Sequence, residues 1–320
     1  MSVSVVALQQ HHLEDAANLV VKGYEGQREI VSALPSCRYD TLELIETRLR
    51  GLLDRFPGAA ALRGDKLVGF AQGMAVPSLH GRRSAYVPEW GHAADANPVP
   101  IYQAMYDYLA PRWMQEGCRS HVVTLFCRSG DLICELFHCG FGMVVIDAVR
   151  DLSPVEGNVA KIQIREACPG DIGVLLEFEE NLTEHLASAP IFRRGGKPPD
   201  ADEVDRLLRD PGHLYLLACE HRQVLGYMRF GPKEAGSLQP FIDDKSVACT
   251  GAYVRRGLRR RGVGAALLAR AFDWARRAGY ERCTVDFESA NVFARRFWLR
   301  HFDPITFSLV RHVGGSGSQG

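Results

Sequence analysis

Apolar residues recur along this chain in two rhythms, one suited to strands and one to helices. The run Val247-Ala248-Cys249-Thr250-Gly251-Ala252-Tyr253-Val254 is almost continuously apolar, as a strand buried on both faces is. From Ala265 to Arg277 the apolar residues fall at Ala266, Leu267, Ala269, Ala271, Phe272 and Trp274, the spacing of a helix with one buried side. Gly279-Tyr280 ends that helix, and Cys283-Thr284-Val285-Asp286-Phe287 reads as the next strand. A short helix follows around Asn291 to Trp298, and Ile305 to Val310 is a last apolar run. The order over residues 245–313 is strand, loop, helix, strand, helix, strand. It predicts an α/β protein with a mixed sheet flanked by helices.

The pattern occurs twice. Val3 to Leu8 leads to an acidic helix opening at His12-Leu13-Glu14-Asp15, as Ile162 to Ile164 leads to Cys168-Pro169-Gly170-Asp171. Phe56-Pro57-Gly58 and Asp210-Pro211-Gly212 each precede a hairpin, with turns at Arg63-Gly64-Asp65-Lys66 and Glu220-His221-Arg222-Gln223. Ala85-Tyr86-Val87 recurs as Ala252-Tyr253-Val254. The matching landmarks stay about one domain length apart, which points to tandem duplication. The expected organisation is a first domain at 1–152, a linker at 153–160, a second domain at 161–313 and a glycine- and serine-rich disordered tail at 314–320. In the second half, Ile172 to Ala189 reads as a helical region interrupted or tilted near Asn181, carrying Glu177, Glu179, Glu180, Glu184 and His185.

The halves differ after the repeated Ala-Tyr-Val. Val254 is followed by Arg255-Arg256-Gly257-Leu258-Arg259-Arg260-Arg261-Gly262-Val263-Gly264-Ala265, with five arginines in its first seven residues. A strand thus runs through a basic glycine loop straight into a helix. The first amides of that helix have no internal partners and sit at the positive end of its dipole. Gly262 and Gly264 keep side chains away from the backbone there. Such a turn suits a phosphate or pyrophosphate. After Val87 the chain instead reads Pro88-Glu89-Trp90-Gly91-His92-Ala93-Ala94-Asp95-Ala96-Asn97-Pro98, with acids and with prolines that remove amide donors. Taken alone, the charge cluster also fits a basic solvated turn.

Arg259-x-x-Gly262-x-Gly264 resembles the acyl-CoA signature of the GNAT N-acetyltransferases, Arg/Gln-x-x-Gly-x-Gly/Ala. Asn291-x-x-Ala294-x-x-Phe297-Trp298 resembles the family's second signature, and the element order over 245–313 follows the family's. The resemblance implies two tandem GNAT-like domains, the first degenerate and without a pyrophosphate loop. It implies acetyl transfer from acetyl-CoA to an amine of a small molecule or peptide, with no metal. Acetyl-CoA would be held by Val254, Arg259, Arg260, Arg261, Gly262, Val263, Gly264, Ala265, Asn291 and Trp298. The pyrophosphate falls to the amides around Gly262 to Ala265, and the thioester carbonyl to a strand amide at or near Val254. The family places its acceptor site against the region Ile172 to Ala189, although those acids equally fit a solvated helix face.

The transfer needs a group that takes the amine's proton and a way to stabilise the departing thiolate. Glu288 and Asp286 stand at the carboxyl end of a strand, where ligands of such sheets bind. Glu288 is nearer the end and is the expected base, with helix capping as its structural alternative. Trp298 occupies the position of the family's tyrosine acid, and an indole N–H is no usable acid. Tyr253 is the residue placed to substitute, with a water or a mechanism without a dedicated acid as the alternatives. The glycine that usually precedes the final Phe is absent, and His301 directly precedes Phe302.

Composition narrows the alternatives. The chain has 320 residues, 46% hydrophobic and 24% charged, and its 38 basic residues balance 38 acidic ones. A zero net charge and a short basic cluster without interleaved aromatics argue against nucleic-acid binding. No apolar run is long enough to span a bilayer, and the N-terminus has no signal pattern. Nine scattered cysteines, most of them in apolar runs, point to buried thiols and a reducing cytoplasm. Cys134-x-x-x-His138-Cys139 lacks a second ligand pair and is not read as a metal site. The oligomeric state is monomer or homodimer. The competing function is an acyl-CoA sensor without turnover, for which Trp298 is the argument.

Overall fold

The computed structural model describes residues 3–314 apart from 38, 80, 96, 194, 195, 222 and 233–237. The tail expected at 314–320 lies outside the described residues from 315 onward, as does Arg222 of the second hairpin turn. In chain order the elements are β1 (Ser4–Ala7), α1 (Leu13–Arg28), α2 (Tyr39–Arg50), β2 (Gly58–Arg63), β3 (Lys66–Gln72), β4 (Met74–Leu79), β5 (Arg82–Val87) and β6 (His92–Ala94). Then come α3 (Pro98–Gln115), β7 (Ser120–Phe126), α4 (Gly130–His138) and β8 (Gly142–Asp151). The repeat resumes with β9 (Gln163–Glu166), α5 (Ile172–Ala187), α6 (Ala201–Arg209), β10 (Leu214–Glu220), β11 (Gln223–Gly231) and β12 (Ser246–Val254). It closes with α7 (Val263–Arg277), β13 (Arg282–Glu288), α8 (Val292–His301) and β14 (Asp303–His312).

Two compact units form. One comprises Met1–Ile146, Ser237–Ile242 and Pro304–Gly320, the other Asp147–Gly236 and Asp243–Asp303. Each is a mixed α/β structure with helices flanking its strands. The sequence expects a linear division at 153–160. The units are instead discontinuous, because the last strand of the second repeat is built into the first unit. There β14 pairs antiparallel with β7, from Thr306↔Phe126 to His312↔Ser120. The strand β8 runs across the division, whose second unit starts at Asp147. Residues 153–160 carry neither helix nor strand.

In the first unit α3 buries Ile101, Met105, Leu109 and Trp113, one residue per turn along a single stripe. The hairpin β2–β3 has the same register as β10–β11. Leu62↔Leu67 and Arg63↔Lys66 in one answer Cys219↔Val224 and Glu220↔Gln223 in the other, with a bulge just before each. The duplication therefore extends to hydrogen-bond register. It ends at the loop. Beyond Val87 the chain forms β6, which pairs with β3 at Phe70↔Ala93, and α3 opens with Pro98 at its first turn. Strand β5 stays paired with β7 to its last residue, Val87↔Val123.

In the second unit β9, β10, β11 and β12 are antiparallel neighbours, and β12 and β13 are parallel. Helix α5 is continuous. Asn181 does not break it, because its side-chain amide donates to the Glu177 carbonyl one turn back at 2.7 Å. Leu175 and Phe178 of α5 and Val204 and Leu207 of α6 pack on Tyr215, Leu217, Tyr227 and Tyr253. Helix α7 buries four alanines among its eight buried residues, which lets it lie close to the strands.

Phe178 joins α5 to the strands. It is 0% exposed, with the rings of Tyr227 and Tyr253 at 5.7 and 5.9 Å and the Arg255 guanidinium over its face at 4.9 Å. Phe178→Ala is expected to cost about 3–5 kcal/mol, measured by urea unfolding. A change below about 1 kcal/mol would mean that this layer is not packed as described.

Candidate functional site

The parallel pair β12–β13 is hydrogen-bonded only at its start, from Ser246↔Arg282 to Cys249↔Val285. Both strands continue, to Val254 and Glu288, without further pairing. The cause lies on the other edge of β12. There Arg229↔Gly251 is followed by Phe230↔Cys249, so Thr250 is an extra residue, a β-bulge. A bulge bends and twists its strand, and β12 leaves β13 at that point. The result is a wedge open at the carboxyl ends of two parallel strands.

A cavity of about 530 Å³ occupies this wedge. Its walls include Ala252, Tyr253 and Val254 of β12, Leu182 and His185 of α5, and Asn291, Phe293, Phe297 and Trp298 at and within α8. The N-terminus of α7 closes one end. The first helical bond there is Ala266 N–H to the Gly262 carbonyl at 3.0 Å, so the amides of Val263, Gly264 and Ala265 point out of the helix end. Gly262 has φ 82°, and a side chain on it would meet the Asn158 carbonyl at 2.6 Å. The residues expected to be a plain linker thus pack on the loop, with Ala160 N–H donating to the Gly262 carbonyl at 3.2 Å. Arg259, Arg260, Arg296 and Arg300 line the cavity against one carboxylate, Glu156, so the wall is cationic. Among the described residues no group of three or more His, Cys, Asp or Glu is placed to hold a metal ion. No helix among them is long and apolar enough to cross a membrane.

The profile of the acetyltransferase (GNAT) family matches residues 180–303, the stretch that carries the wedge and the loop. Residues 180–303 belong to the GNAT family. The fold of the chain is similar to that of a GCN5-related N-acetyltransferase from Sphaerobacter thermophilus, at 16% identity and TM-score 0.57, over 98% of this chain and 96% of that one. It is also similar to the GCN5-related glucosamine N-acetyltransferase region of a fungal multi-domain GH3 β-N-acetylglucosaminidase, at 14% identity and TM-score 0.51. That likeness covers 97% of this chain and 38% of the fungal protein. No curated protein matches the chain.

Most of the residues expected to form the GNAT site line the cavity: Tyr253, Val254, Arg259, Arg260, Gly262, Val263, Gly264, Ala265, Asn291 and Trp298. Arg261 and Glu288 do not line it. Glu288, the expected base, ends β13 with its carboxylate 14% exposed and 3.6 Å from the Arg193 guanidinium, while its carbonyl accepts from Asn291 N–H at 2.9 Å. Arg259 turns back onto its own strand. Its Nε donates to the Val254 carbonyl at 3.1 Å, and its guanidinium stands 5.4 Å from the Tyr253 ring and 5.0 Å from the Phe293 ring. It walls the groove beside Tyr253 rather than reaching to the loop. Trp298 is buried, packed on Phe297 and Phe302 at 4.8 and 5.3 Å, and acts as a wall. Asn291 caps α8, its Oδ1 accepting from Ala294 N–H at 3.2 Å.

His185 stood in the sequence as one polar residue in an acidic helix. Only the fold brings it to the cavity, half-buried, with the Asn291 side chain in hydrogen-bonding reach. Burial, then Arg259 and Arg256, push its imidazole below its ordinary range, and the Asn291 contact opposes them. Helix spacing puts His185 on the same face as Leu182 and Phe178, a signal legible in principle.

A second polar cluster sits beside the bulge. Arg229 donates to the Thr250 carbonyl and hydroxyl, both at 3.0 Å, and to the Tyr215 hydroxyl at 3.2 Å. It pairs with Glu179 at 3.2 Å, a carboxylate only 6% exposed. Burial pushes the Glu179 carboxyl up, and Arg229 pulls it down. Removing the arginine alone strands a buried carboxylate. Arg229→Met is expected to cost about 3–5 kcal/mol, and Arg229→Met with Glu179→Leu much less than that. Urea unfolding of the single and double variants checks it. Equal losses in both would show that the pair is not coupled.

Proposed function

We propose that the chain is an N-acetyltransferase that moves the acetyl group of acetyl-CoA to an amine of a small molecule or peptide. The observation that carries this is the wedge between β12 and β13, opening against the free amides of α7. The pyrophosphate sits on the amides of Val263 to Ala265, where the helix dipole and cationic wall favour it. The pantetheine arm runs along the unpaired edge of β12, whose amides from Gly251 to Val254 are free of β13. One of them donates to the thioester oxygen as charge develops there. Tyr253 lines the cavity with its hydroxyl toward Arg259 and gives a proton to the departing sulfur. The first unit does not bind acyl-CoA, in keeping with β5 paired to its end and prolines at the start of α3. The nine free cysteines support a cytoplasmic site of action.

The test follows free thiol release from acetyl-CoA across phenethylamine, glucosamine, lysine and a tetrapeptide with a free N-terminus. Glucosamine is included because the fungal relative is described as a glucosamine N-acetyltransferase region. Turnover with at least one amine is expected. Tight acetyl-CoA binding without turnover of any amine would favour a sensor instead. Gly264→Asp places a carboxylate beside the loop, where a Cβ already meets the Phe297 ring at 3.1 Å. It is expected to weaken acetyl-CoA binding at least about tenfold by calorimetry. Unchanged affinity with a native circular-dichroism spectrum would remove the loop from the site.

If Tyr253 protonates the leaving sulfur, Tyr253→Phe lowers turnover by about tenfold to a hundredfold and leaves the acetyl-CoA dissociation constant nearly unchanged. A rate equal to wild type would assign that proton to water.

A further inference from the structure

We infer that His185 is the group that takes the proton from the acceptor amine. The inference rests on the acetyltransferase reading above. An amine that is protonated at neutral pH must lose a proton before its nitrogen can attack. The group that takes it must reach the cavity, stand on the open side of the wedge and be uncharged.

Geometry excludes the other bases one by one. Glu288 does not line the cavity and is paired with Arg193 at 3.6 Å. Glu156 and His301 do line it. Glu156 belongs to the segment that packs on the Gly262 loop, beside the pyrophosphate position. His301 lies at the last turn of α8, with its ring 4.9 Å from Phe297, and Arg150 and Arg300 act on it. His185 stands one turn beyond Leu182 on α5, the helix whose Phe178 ring lies 5.9 Å from that of Tyr253. It therefore faces the carboxyl ends of both diverging strands, with the loop after β12 on one side and Asn291 on the other.

The charges that act on the imidazole are those of Arg259 and Arg256, from the loop after β12. With burial they hold the ring neutral at pH 7. The Asn291 side chain, whose oxygen caps α8, is the ring's hydrogen-bonding neighbour. Both arginines also disfavour the protonated ring, which makes the imidazolium a ready donor once formed.

The step balances as follows. One N–H bond of the ammonium breaks, and its proton passes to a ring nitrogen of His185, directly or through one water. The freed lone pair forms the C–N bond to the thioester carbonyl carbon, and the C–S bond breaks. Of the two protons the nitrogen loses in all, one ends on the CoA sulfur through Tyr253 and one leaves to solvent through His185.

The measurement is kcat/KM against pH for wild type and His185→Gln, with the amine turned over fastest in the panel above, alongside acetyl-CoA calorimetry. Glutamine retains a hydrogen bond to Asn291 but cannot hold the proton. For wild type the rate falls as pH drops through the imidazole pKa, which lies below the usual value of about 6.5. The variant is expected to lose at least about a hundredfold at neutral pH and to lose that acidic limb, with unchanged acetyl-CoA affinity. A wild-type rate, or an intact limb in the variant, would overturn the assignment. A slow variant that keeps the limb and binds acetyl-CoA weakly would also overturn it, as a structural role. If wild type turns over no amine in the panel, the acetyltransferase reading fails first, and this one with it.

Discussion

Strands β12 and β13 share four paired residues and then separate, and the site exists because they do. The extra residue Thr250 forces the parting by breaking register with β11. A bulge would be free to relax were its carbonyl and hydroxyl not both held by Arg229. Arg229 is in turn held by Glu179 from the helix above. One buried ion pair thereby links the helix that carries His185 to the strand that carries Tyr253. The unit without this arrangement keeps its parallel pair closed to the end, at Val87↔Val123. Sheet irregularity, and not the sequence of the glycine loop alone, separates the parallel pair that opens from the one that stays closed.

The glycine loop that opens α7 was legible in the chain and the grouping of side chains around the cavity was not, for a physical reason. The loop is made of consecutive residues, Gly262 to Ala265, whose amides point outward because they open a helix. Local sequence decides that. The proposed acid and base, Tyr253 and His185, come from β12 and α5, which are far apart in the chain, and their meeting depends on how helices lie on strands. Glu288 looked correct by position on β13. It does not line the cavity, and it pairs with Arg193 in the loop after α5, a partner that nothing near residue 288 announces. Arg259 shows the same limit. Its motif position was read correctly, yet its guanidinium turns back to Val254 and two aromatic rings.

The duplication was also legible, down to hairpin register, because turns and bulges are local. The exchange of strands was not. A linear reading of the repeat gives β8 to the first half and β14 to the second, whereas β14 pairs with β7. Which sheet a terminal strand joins is settled by edge availability and chain reach, which composition does not record.

That exchange bears on how the protein is made. The strand β7 lies within the first repeat, and its partner β14 follows the second repeat's other strands in the chain. While the ribosome works through the whole second repeat, β7 has no β14 beside it and offers unpaired backbone groups to whatever strand comes near. Emergence of residues 303–312 ends that exposure and completes the earlier unit after the later one has its own strands in hand. The first unit is thus completed only after the second repeat has been translated, and loss of residues 303–312 would damage the half that was made first.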